Sequence, residues 1–149
     1  MKAGKSPAGA NVTVQIAAHA QGIPRGSYLR RWTLAALGSR AEVTVRVVDA
    51  REGRALNRRY RRKDYATNVL SFAYEKGRTT RGDVVLCASV VSREAREQQK
   101  TVSAHYAHLT VHGVLHLRGY DHATAAGARL MENRERRILR DLGFPDPYL

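Results

Sequence analysis

Two stretches alternate apolar with polar residues, NVTVQI at 11–16 and EVTVRVV at 42–48, the two-residue period of a strand with one buried face. Between them YLRRWTLAAL, 28–37, sets Leu29, Trp32, Leu34 and Leu37 on a broad apolar helical face, and Gly38 is placed to end that helix. Asp49 and Glu52 have the spacing of a capping box, which predicts a helix running to about Tyr60. A short strand is expected over 68–74, then a flexible connection KGRTTRGD and a strand beginning at Asp83. Helices follow over 89–100 and 103–117, and a last one runs from a Thr124 cap to Gly143, before Pro145. The predicted order is βαβαββααα. Residues 1–10 read as a flexible tail and 11–149 as one domain, long enough to bury a core without disulfides.

Charge narrows the function. Twenty-six Lys and Arg against thirteen Asp and Glu give +13, which concentrates polyanions and favours nucleic acid; anionic membrane or ribosomal surfaces would attract the chain too. Cys87, the single cysteine, lies in the apolar DVVLCASVV and reads as a buried small hydrophobe; its isolation excludes an intrachain bridge and fits a reducing compartment. The N-terminus lacks the continuous apolar stretch of a secretory signal, and no apolar run approaches the roughly 18 residues of a membrane span. A cytoplasmic protein without membrane attachment is expected.

The candidate chemistry lies in HGVLHLRGYDH, 112–122. His112 and His116, four residues apart, share one helical face and can aim at a common ion. Gly119 tolerates a chain reversal that brings His122 to the same point, leaving a coordination position open. The alternative is a helix end whose histidines face water or cap carbonyls. Zinc is the first choice for three imidazoles with an open site, and nickel and iron accept the same ligands. His105 and His108 extend the stripe as packed histidines, His108 also being placed to orient a ligand or meet substrate. Asp121 suits either support of a ligand or a turn cap. The protease motif H-E-x-x-H carries its proton acceptor where this chain has Gly113, so peptide hydrolysis loses that acceptor while phosphodiester cleavage depends more on charge stabilisation.

RRYRRK, Arg58 to Lys63, offers Arg58, Arg59, Arg61, Arg62 and Lys63 for phosphate, with Tyr60 and Tyr65 able to stack on unpaired bases; a solvated turn is the plainer reading. Ser71, if alternation holds, lies opposite the core-feeding strand positions. Without a Ser-His-Asp pattern it is a site-lining hydrogen-bonder. On the last helix Met131, Ile138 and Leu142 read as core, whereas Glu132 and Glu135 read as capping, pairing or solvent-facing, with support of the site a lesser option.

HGVLHLRGYDH, LNRRYRRKDYATNVLSF at 56–72 and, more weakly, GDVVLC and MENRE closely resemble the bacterial YbeY family of single-domain metal-dependent endoribonucleases, over roughly residues 40 to 143. The resemblance implies an α+β fold with a mixed, roughly four-stranded sheet, surrounding helices and a zincin-like three-histidine site. It implies metal binding by His112, His116 and His122 and phosphate binding by Arg61, on single-stranded ribosomal RNA, with roles in maturing the small-subunit 3′ end and in ribosome quality control. Ala73 and Asn68 stand where the family often has proline and aspartate, and the general base stays unassigned. A noncatalytic RNA-binding assembly factor with a structural metal, and a metallopeptidase, are the competing readings.

Overall fold

The computed structural model describes residues 9–75 and 79–149; residues 1–8, most of the expected tail, and 76–78 of the expected connection lie outside them. The elements run β1 Ala10–Ile16, α1 Gly26–Ala36, β2 Ala41–Val48, α2 Ala50–Arg61, β3 Val69–Glu75, β4 Thr80–Cys87, α3 Ala88–Glu97, α4 Val102–Leu117 and α5 Ala125–Asp141, in the order the patterning predicts. They build a mixed four-stranded sheet, β1-β2-β4-β3, in which β1, β2 and β4 are parallel and β3 is the antiparallel edge.

Alternation along the strands divides the core. Val43, Val45, Val47, Val84 and Leu86 join the large cluster that includes Leu29, Trp32, Tyr106, Leu115, Met131 and Leu139 from the helices. Val48, Leu70, Val85 and Cys87 point the other way into a smaller cluster closed by Leu56 and Val90. Cys87 is 1% exposed, a packed hydrophobe as its context predicts.

Several boundaries differ from the expected ones, some for non-local and some for local reasons. β4 begins at Thr80 rather than Asp83, because Thr80, Arg81 and Gly82 pair with Ala41, Glu42 and Val43 of β2. Gly82 belongs there because a Cβ would collide with the Phe72 carbonyl oxygen. α1 ends where Leu37 turns extended, and Gly38 serves a different need: Arg118 Nη1 donates to the Ala36 carbonyl at 2.8 Å, and a Cβ on Gly38 would sit 2.8 Å from the same guanidinium. α3 stops at Glu97 because Gln99 adopts φ 55° and lets Lys100 N donate to Ala95 O. At the start of α2 only half of the capping box forms. Asp49 accepts from Glu52 N at 2.8 Å, but the Glu52 carboxylate turns to Arg46 on β2, with bonds of 2.6 and 2.9 Å.

Candidate metal centre

The histidines are carried by the most buried helix of the fold. α4 starts from Thr101, whose hydroxyl accepts from Ala104 N, and packs against α1, α3, α5, β3 and β4, so its backbone has little freedom. It comes close to the sheet at Gly113, where a Cβ would lie 2.8 Å from Val84 Cγ1 and 3.1 Å from Ser71 Oγ. Ser71 Oγ donates to the Gly113 carbonyl at 2.9 Å, tying β3 to the helix. Ser71 thus lies on the α4 side of β3, the side of Val69 and the large core, not opposite the core as alternation suggested. The glycine following His112 faces the sheet, and a glutamate would not fit there.

Beyond Leu117 the chain reverses as expected. Gly119 takes φ 98°, its N–H bonds His116 O, and Tyr120 N bonds Leu115 O, the paired bonds of a Schellman stop. Asp121 Oδ1 accepts from Ala123 N at 3.0 Å and holds the next turn. Together they return His122 to the helix. One nitrogen each from His112, His116 and His122 lies within 4.8 Å of the others, and the ring centroids stand 4.7 to 5.8 Å apart. Burial, with His112 and His122 close by, pushes the His116 imidazole below its ordinary value, so it stays neutral with a lone pair to offer. Three convergent imidazoles at an open cleft fit a zinc, nickel or iron ion.

Behind the cluster stands Glu135, for which the sequence reading favoured capping, pairing or solvent and ranked support of the site as a lesser option. Glu135 of α5 is 0% exposed, accepts from Tyr148 Oη at 2.7 Å, and bonds His108 Nε2 at 2.7 Å and His112 Nδ1 at 3.1 Å. Burial alone raises its carboxyl, but the bonds from His108, His112 and Tyr148 outweigh burial and bring it down to about 2. Burial and that carboxylate hold the Tyr148 phenol well above its usual range, so it remains a donor. With Nδ1 engaged by Glu135, His112 has Nε2 left for a ligand, the arrangement by which a carboxylate orients a metal-binding imidazole. His108, His112 and Glu135 also cluster within 4.8 Å, but His108 Nε2 and His112 Nδ1 are already taken up by the Glu135 carboxylate. A signal was present: Met131, Glu135 and Leu139, each four apart, are the buried stripe of α5. Glu132, in contrast, faces Arg136 at 3.9 Å.

His105 is a packed histidine, 3% exposed, with Nε2 2.9 Å from Glu94 Oε1; burial lowers its pKa. Asn68 donates to the same Glu94 oxygen at 2.9 Å, a donor's task that an ionised aspartate there could not perform.

The three histidines share a cleft of about 410 Å³ with Arg61, Thr67, Asn68 and Ser71. Arg61 is the last residue of α2, and Arg62 then adopts φ 58°, turning the chain toward β3. Asn57, fully buried, donates to Tyr65 O at 2.7 Å and anchors that turn. Of the basic segment only Arg61 lines the histidine cleft; Arg58, Arg59, Arg62 and Lys63 are exposed outside it, with Arg59 lying over the Tyr60 ring at 5.3 Å. Tyr65 is exposed and lines neither this cleft nor the groove that Tyr60 borders.

Fold and site define a small α+β protein with a three-histidine cluster in a cleft closed on one side by an arginine. A family model described as Endoribonuclease YbeY matches residues 28–143. Proteins named Endoribonuclease YbeY include one from Thiobacillus denitrificans, 55% identical over 139 residues covering 92% of this chain and 95% of that protein. Another, from Nitrosomonas eutropha, is 51% identical over 138 residues, 93% of this chain and 98% of its own. A solution structure from Thermotoga maritima aligns at TM-score 0.49 and 23% identity, over 91% of this chain and 98% of that one. The chain belongs to the endoribonuclease YbeY family, as its motifs suggested.

Proposed function

We propose that this protein is a metal-dependent endoribonuclease cutting exposed single-stranded RNA, with ribosomal RNA near the small-subunit 3′ end as substrate, in the cytoplasm. The observation that carries the reading is the convergence of His112, His116 and His122 in the cleft that Arg61 shares. A zinc ion, or nickel or iron in its place, held by those three imidazoles would supply Lewis-acid stabilisation of charge on the phosphate. Arg61 is placed to hold the phosphate by paired N–H bonds and to offset the negative charge that grows as the bond breaks. Glu135 keeps His112 in one orientation, and the bond from Ser71 to Gly113 keeps the helix in register with the cleft wall. None of the described residues lining the cleft is a carboxylate, which speaks against a peptidase that relies on one for proton transfer. The charge of +13 suits a ribosomal surface.

The test compares wild type, Arg61→Ala and His116→Ala on a single-stranded fragment of small-subunit ribosomal RNA, with metal content and RNA binding measured in parallel. Cutting by wild type, loss of cutting with metal retained in Arg61→Ala, and loss of both in His116→Ala support the reading. RNA binding without cutting by any preparation, beyond a matched contaminant control, would overturn catalysis in favour of an assembly factor.

A further inference from the structure

The sheet face opposite the large core is only half covered. α2 lies over one end, where Val48, Leu70, Val85 and Cys87 are buried; at the other, Thr44, Phe72, Tyr74 and Asp83 floor an open groove with Tyr60 on its wall. The groove holds about 960 Å³ against about 410 Å³ for the histidine cleft, and Ser71 lines both, so the two meet along β3. Because β3 is the edge of the sheet, a strand of substrate can pass from one to the other without crossing a neighbouring strand.

We propose that this groove is a base-binding extension of the cleft. The single-stranded RNA whose phosphate sits at Arg61 lays neighbouring bases on Tyr74 and against the Tyr60–Phe72 pair. The inference rests on the endoribonuclease reading. Tyr74 and Tyr60 are 62% and 56% exposed, and the Tyr60 and Phe72 rings stand 5.0 Å apart. Arg59, 5.3 Å over the Tyr60 ring, sets a positive charge at the rim.

The floor suits bases better than phosphates or an apolar peptide. Its carboxylates are engaged, Glu52 by two bonds from Arg46 and Asp83 by the Tyr74 hydroxyl at 2.5 Å. Phosphates placed there would meet Asp83, whereas Gln15, Thr44 and the remaining Asp83 oxygen can pair with the polar edges of bases. The phosphates then follow the basic rim at Arg59 and Arg61, and stacking on flat rings binds any base without selecting sequence. An apolar peptide would find too few apolar partners on a floor of Gln15, Thr44, Arg46 and Asp83.

The experiment measures binding of a fluorescent oligouridylate and of a same-length abasic phosphodiester oligomer to the full chain, kept metal-free so that nothing is cut. Tyr74→Ala and Tyr60→Ala are each expected to weaken oligouridylate binding roughly 5- to 100-fold, with unchanged affinity for the abasic oligomer, an unchanged salt slope and wild-type folding by circular dichroism. Tyr74→Phe keeps the ring and is expected to bind as wild type. Equal losses in Tyr74→Phe and Tyr74→Ala would overturn stacking. Both alanine variants binding as wild type, while wild type cuts RNA once metal is restored, would overturn the groove, assign it another occupant such as a protein segment, and leave the endoribonuclease reading standing. A wild type that neither binds nor cuts RNA brings down both.

Discussion

The two sides of the cleft are built in opposite ways. The histidine side rests on α4, which meets the sheet at Gly113 too closely for a Cβ, and on Glu135, a carboxylate with no exposed surface. The arginine side is solvated from Arg58 to Lys63, leaves its helix through a non-glycine residue at φ 58°, and is pinned by one buried side chain, Asn57. The contrast matches the demands of the proposed chemistry. Three imidazoles must hold one geometry to bind an ion, so their supports are buried and hydrogen-bonded. Charges that meet a long polyanion work from flexible, hydrated side chains, because a phosphate backbone arrives in many conformations.

The contrast is tested most strongly by the pair that removes one member from each side. His116→Ala should abolish both bound metal and RNA cutting, whereas Arg61→Ala should keep metal and lose about 10²- to 10³-fold in cutting; metal analysis beside single-turnover cleavage checks both. Next comes the hidden support. Glu135→Gln removes the carboxylate that orients His112 and should weaken metal binding by about 10- to 100-fold, read by competition with a chelator of known affinity. The same residue sets an acid limit. Its folded pKa of about 2 lies below the ordinary 4.5, so the stability it contributes is complete above pH 4.5 and lost as pH falls toward 2. Metal-free wild type should lose stability over that window, and Glu135→Gln should lose less of it in acid titrations followed by circular dichroism.

Smaller effects sharpen the difference. Gly113→Ala should destabilise the protein by about 1–3 kcal/mol, since Val84 and Ser71 cannot both withdraw from the added methyl, and chemical denaturation measures it. On the solvated side, Lys63→Ala should leave folding untouched and lower the salt slope of single-stranded RNA binding by at most about 0.7. A large stability loss from Lys63→Ala, or none from Gly113→Ala, would erase the distinction between a rigid side and an adaptable one.

How much of this could be read from the chain varies with the range of the interaction. Helix and strand order, the Asp49, Thr124 and Gly119 signals and the His112–His116 face were legible because each depends on residues within a turn or two. The start of β4 was not, since its first residues are held by β2, about forty positions away in sequence. Gly113 was read as a missing proton acceptor, and the fold adds that it faces the sheet. Glu135 was ranked low as a support of the site because a carboxylate among arginines looks solvated, although its place between Met131 and Leu139 marked the buried stripe.

By itself the sequence determined the elements, their order, the three candidate ligands and the family, all of which follow from local periodicity or from motifs. Only the tertiary structure decided which nitrogen of His112 meets Glu135, that Arg58, Arg59, Arg62 and Lys63 stay outside the cleft, and where the open sheet face continues from it. Those are arrangements of side chains 10 to more than 50 residues apart, and no local pattern carries them, because they form only when the sheet and helices pack.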